Sequence, residues 1–210
     1  MGRARDISKV FSTNTALATD SEVSGSYLTQ SSASTVYQTK AAAGLVLLNT
    51  TSFSGVASIP LPADTFTSTY DNYLIIFKLG AVTSDGGVVL KMRASGTDSS
   101  AGYYYSYTGL TSGNVGFTSA VSNAAGGFQL NEMDTGSSAK PTFVRIELYN
   151  PKVAEPTTMI LQGSFSTVTG VPTAWSGGGV HTPSTAYDSV NFIASVGNIT
   201  GSISVYGYNK

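Results

Sequence analysis

Residues 141–150, "PTFVRIELYN", decide the fold class. Val144, Ile146 and Leu148 alternate there with Phe143, Arg145, Glu147 and Tyr149. Successive side chains of a strand point to opposite faces, so this period of two marks a half-buried β-strand whose aliphatic set faces a core. The last residues, "ITGSISVYGYNK" (199–210), repeat the pattern: Ile199, Gly201, Ile203, Val205 and Gly207 oppose Thr200, Ser202, Ser204, Tyr206 and Tyr208.

A third run, "NYLIIFKLG" (72–80), is apolar on both faces. It belongs in the middle of a sheet, with its second face covered by another subunit or a loop.

Outward from these three, runs rich in Val, Ile, Phe, Tyr and Thr continue from Gly44 to the end, divided by Gly, Pro, Asn, Asp and Ser clusters. They place strands near 44–49, 52–59, 72–80, 87–94, 102–108, 114–118, 126–132, 141–149, 157–167, 188–195 and 200–208. That number and spacing predict an all-β domain over 44–210, an antiparallel, jelly-roll-like β-sandwich. The one long connection, "VTGVPTAWSGGGVHTPSTAYD" (168–188), reads as a functional or subunit-bridging loop.

Composition agrees. Charged residues are 11% of the chain, less than half the ~25% of an ordinary soluble domain. Its polarity therefore comes from hydroxyls and amides, which suit strand surfaces and turns. The net charge of −1 leaves no footprint for neutralising phosphates, so no nucleic acid is expected as a partner. With no cysteine, disulfides and thiolate metal sites are excluded. No run is long enough to span a membrane, the basic start lacks the apolar stretch of a signal peptide, and Asp6 breaks the myristoylation pattern.

Residues 1–43 have a different texture and read as an extended or short-helical anchor and stalk. Ile7, Val10 and Phe11 fall on one face of a short helix, which needs a partner because about two turns are unstable alone in water. They are the docking candidates. Thr19 to Glu22 has the form of a capping box, and "SSASTVYQTKAAAG" offers a capped helical face of Ala33, Val36, Tyr37 and Ala41 ending at Gly44.

Catalytic signals are sparse. His181 is the only histidine, no G-x-S-x-G elbow is present, and Gly177, Gly178 and Gly179 lack the Lys-Ser/Thr of a phosphate loop. His181 reads as a loop or interface histidine, and the glycines as a turn or a close approach. Asp85-Gly86-Gly87 and Asp98 read as hairpin turns rather than calcium ligands. No cofactor and no metal are expected. Tyr103, Tyr104, Tyr105 and Tyr107 with Trp175 are the suggestive set, because aromatic faces stack on sugar rings. Tyr103, Tyr105 and Tyr107 share a strand face, where cross-strand packing or a subunit interface is the favoured use.

Phrases at both ends resemble virion structural proteins of tailed bacteriophages, especially fibre-like proteins of phages of marine bacteria and cyanobacteria. "MGRARDISKVFSTN" with "TDSEVSGSYLTQSSASTVYQTKA" resembles their docking peptide and stalk unit. "AWSGGG" with "YDSVNFIASVGNITGSISVYGYNK" resembles the close of their β-domain. The resemblance implies a homotrimer without enzymatic activity, located on the virion and bound to capsid or tail proteins. One stalk unit and one β-domain favour a short fibre, spike, head fibre or decoration protein over a long tail fibre. The alternative is a receptor-binding module that recognises host surface polysaccharide through Tyr103, Tyr105, Tyr107 and Trp175.

Overall fold

The computed structural model of the protein describes residues 44–84, 86–111, 114–133, 142–166 and 172–209. The docking candidates Ile7, Val10 and Phe11 and the stalk segment lie outside the described residues. Those residues form thirteen strands and no helix: β1 (Leu45–Val56), β2 (Ser58–Pro60), β3 (Asn72–Val82), β4 (Gly86–Ala94), β5 (Thr97–Asp98), β6 (Tyr103–Thr111), β7 (Asn114–Ala125), β8 (Phe128–Met133), β9 (Thr142–Tyr149), β10 (Thr157–Ser166), β11 (Pro172–His181), β12 (Ser189–Ala194) and β13 (Ile199–Tyr208).

Eight strands make a large sheet in the order β1-β13-β3-β9-β10-β11-β6-β7, and five make a smaller one, β2-β12-β4-β5, with β8 also on β4. Every pairing is antiparallel. The two sheets pack face to face, the all-β sandwich that the alternating runs predict. Val144, Ile146 and Leu148 of β9 and Ile199, Ile203 and Val205 of β13 are all buried, as their period of two requires. The doubly apolar β3 sits between β13 and β9, inside the large sheet.

Rings join the layers. Phe77 of β3 stacks on Phe192 of β12 with centroids 5.1 Å apart and planes 2° from parallel. Phe66 leans on Tyr73 at 4.6 Å, and the Tyr73 hydroxyl donates to the Thr67 carbonyl while accepting from the Thr67 amide, fixing the segment between β2 and β3 to the core. The β4–β5 hairpin turns at Ser95 and Gly96, whose φ values of +49° and +79° are those of a type I′ turn.

Five features differ from the sequence reading. Runs 44–49 and 52–59 are one strand, β1, bent by register shifts at Leu47/Asn49 and Phe53/Val56 before the short β2 crosses to the small sheet. β7 extends to Ala125, and β5 adds two residues that are too short to give a periodic signal. The 83–85 connection is no hairpin: β3 is in the large sheet and β4 in the small one. The largest correction concerns 168–188, where Pro172–His181 is a full strand bonded to β10 and β6 on either side. Proline and three glycines hide it, because each lowers strand propensity when neighbours are ignored.

Those glycines are required by what stands beside them. A Cβ on Gly177 would lie 2.2 Å from the Ser106 carbonyl oxygen and 2.5 Å from the Tyr107 ring. A Cβ on Gly163 of β10 would lie 2.3 Å from the Trp175 ring. At Gly80 the nearest atom would be 3.6 Å away, an ordinary contact. Gly177→Ala is therefore expected to lower the free energy of unfolding by about 1–3 kcal/mol, the usual scale of overpacking, with Gly80→Ala near neutral. Urea titrations of the two variants beside the parent check this, and equal midpoints would remove the close-approach account.

Candidate functional site

The sequence points to Tyr103, Tyr105, Tyr107, Trp175 and His181, and the structure gathers all five on the inner face of the large sheet. On β6 the odd-numbered tyrosines point inward, opposite His181, Gly179 and Gly177 of β11. Tyr103 is fully buried; its hydroxyl accepts from the Met92 amide at 2.8 Å and donates to the Ser99 carbonyl at 3.2 Å, bridging to the small sheet. Tyr105 and Tyr107 stack at 4.8 Å. Trp175 is buried and meets Phe165 edge-on at 5.5 Å.

Burial pushes the Tyr103 and Tyr107 hydroxyls well above the usual phenol range. The Tyr107 hydroxyl and Trp175 Nε1 have no hydrogen-bond partner among the described residues. These rings belong to the core. Tyr103, Tyr107 and Trp175 present no open face on which a sugar could stack, whereas Tyr105 is only partly buried. Of the four tyrosines in the run, Tyr104 points outward and is 40% exposed.

His181 is likewise neither a loop nor a surface residue. It ends β11 with no exposed area, stacks on Tyr103 at 4.0 Å and shares a 2.7 Å hydrogen bond between Nε2 and the Tyr187 hydroxyl. Burial drives its pKa down to about 4; the Gly102 carbonyl opposes the shift, although Nδ1 makes no well-formed hydrogen bond. A neutral imidazole walled in by two tyrosines has no path to an external substrate, so its role is packing. Tyr187, the partner that closes this cluster, gives no signal in the sequence because it lies in a segment without periodicity.

The remaining polar features are structural too. Asp98 pairs with Arg93 and accepts from the Asn191 amide, whose carbonyl accepts from Ser58. Among the described residues no group of three or more His, Asp or Glu could hold a metal ion. A half-open cleft of about 320 Å³ lies between β1 and the segment after β2, lined by Asn49, Asp64, Thr67 and Tyr70 among others.

The two outer faces of the sandwich differ. On the small sheet, Lys91, Arg93 and Asp98 face outward around Asn191. On the large sheet, the register sets Leu47, Tyr206, Leu74, Glu147, Ile160, Gly178 and Ser106 in one row across seven strands. Its charged node is compact. Arg145 donates to Glu147 at 2.5 Å, and the Tyr149 hydroxyl donates to the same carboxylate at 2.6 Å. The Tyr149 hydrogen bond, followed by Arg145, holds the Glu147 carboxyl below its ordinary pKa.

No protein-family model matches this sequence, and no curated protein or solved structure matches it. The fold defines the chain by class alone, as an all-β, two-sheet antiparallel sandwich.

Two measurements test the buried cluster. Trp175 is the sole tryptophan, so its emission is expected to be blue-shifted and resistant to iodide, moving to longer wavelength only on unfolding; a quenchable, red-shifted native spectrum would place the ring at the surface. His181 binds its proton less readily folded than unfolded, so its contribution to stability is complete above the unfolded pKa of about 6.5 and is lost as pH falls towards 4, on the order of 3 kcal/mol in all. His181→Phe, which keeps the stack on Tyr103, is expected to flatten the stability–pH curve between pH 6.5 and 4.

Proposed function

We propose that this chain is a non-enzymatic structural appendage of a tailed-phage virion. It acts as a homotrimeric short fibre, spike or capsid decoration protein, held to capsid or tail proteins by residues 1–43. The observation that carries the reading is the asymmetry of the sandwich. Among the described residues six of the nine conspicuously exposed large hydrophobics stand on the broad outer face of the large sheet and none on the outer face of the small one. A subunit built to be assembled has this layout. The resemblance of both chain ends to phage fibre-like proteins supplies the setting, and its C-terminal phrases run through β11, β12 and β13 at the heart of the fold.

A receptor-binding reading through Tyr103, Tyr107 and Trp175 is not favoured, because those rings are internal. The decisive experiment labels purified virions of the phage that encodes the chain with an antibody raised against residues 44–210. Labelling is expected at fixed positions on the particle and should disappear when residues 1–43 are deleted from the gene. Unlabelled virions carrying no such polypeptide by mass spectrometry would overturn the proposal. In solution, light scattering is expected to give three times the chain mass of 21.7 kDa.

A further inference from the structure

We infer that the outer face of the eight-stranded sheet is the surface through which copies of this chain assemble with one another. The inference rests on the appendage reading and deepens it by naming the face and the partner. Nine large hydrophobic side chains are conspicuously exposed among the described residues, and six of them, Leu45, Leu47, Tyr104, Leu110, Phe143 and Ile160, stand on this face. Parity fixes their direction. Trp175 points inward, so its strand neighbour Ala174 and the paired Leu110 point outward; Val205 points inward, so Tyr206 and the paired Leu47 point outward. Leu47 and Leu110, each 56% exposed, lie on strands far apart in the sheet, so the apolar character extends across it and is no isolated spot.

Three further observations favour another copy as the occupant. First, little charge has to be stripped of water. Hydroxyls and small residues such as Ser106, Thr108, Ser176 and Gly178 fill the space between the hydrophobics, Arg145 and Glu147 pair with each other, and Lys78 sits over the Phe143 ring at 5.7 Å. Second, the size fits. Eight strands at about 4.8 Å spacing, each presenting about 25 Å of length, give a face on the order of 900 Å². A stable interface uses about 800 Å² per partner.

Third, the strands bounding this sheet invite assembly. β1 and β7 are each twelve residues long and contain no charged residue and no proline. The outermost strands of the small sheet are instead three-residue β2 with Pro60, two-residue β5 with Asp98 and six-residue β8 with Glu132. Proteins blunt sheet edges that must stay solitary with short strands, charge, proline or bulges; β1 and β7 pair through register shifts but are long and carry neither charge nor proline. Long, uncharged edge strands fit association with further copies.

The test is the mass in solution of the full chain beside Leu47→Lys/Ile160→Lys and the milder Ile160→Thr, with Lys91→Glu on the charged small-sheet face as control. The parent and the control are expected to be oligomeric. The double variant is expected to be monomeric with unchanged native Trp175 emission, and Ile160→Thr to weaken self-association about tenfold, a loss of ~1.4 kcal/mol. If the double variant fails to fold, Ile160→Thr alone decides. An oligomer as tight in the face variants as in the parent would overturn the assignment of the face, and a monomeric parent would overturn it too. Neither result bears on whether the chain is on the virion, which the antibody labelling reads separately.

Discussion

Across the inner face of the large sheet, rings lie flat against strands that must offer no side chain in return. Tyr107 occupies the space above Gly177, and Trp175 the space above Gly163, at distances that leave no room for a methyl group. The remaining packing follows from these two pairs. They keep the wide sheet close-packed where the smaller sheet has fewer strands to cover it, and they let β11 approach β6 and β10 closely enough to bond to both along its length. Large buried rings provide the greatest apolar burial per residue, and glycine opposite them admits that burial without spreading the strands.

The same constraint explains the chemistry of the interior. Once Tyr103, Tyr107, Trp175 and His181 are committed to packing, their polar atoms must find partners inside or go without. Tyr103 and His181 find theirs in Met92, Ser99 and Tyr187, tying strands of the two sheets and the segment before β12 into one unit. Keeping His181 neutral is the condition for this arrangement, because an imidazolium in that enclosure would carry a charge with no counter-ion and little water. The cluster links acid sensitivity to the seam of the sandwich, and catalysis has no part in it.

Function, on this reading, resides in surfaces. The inner faces are spent on cohesion, and the proposed role as an assembled subunit draws on the outer surface. A hydrogen-bonded network of Arg93, Asp98 and Asn191 marks the outer face of the small sheet, and hydroxyls, large hydrophobics and the Arg145–Glu147 pair that of the large one.

Much of the architecture was legible in one dimension. The period of two in 142–149 and 199–208 assigned faces correctly residue by residue, and the doubly apolar run at 72–80 declared its central place, because alternation is imposed locally by strand geometry. Strand β11 was not legible: a proline and three glycines argue against a strand until Tyr105, Tyr107 and Trp175 are set beside them, and those neighbours are distant in sequence. The tyrosine and tryptophan set was visible as a set, but whether its shared face looks to water or to the core depends on which sheet lies opposite. Composition and alternation determined an all-β sandwich and the inward face of its regularly alternating strands; only the tertiary structure decided which strands neighbour one another and what each inward face meets, since the order of strands and the closure of one sheet on another arise from contacts that no local pattern encodes.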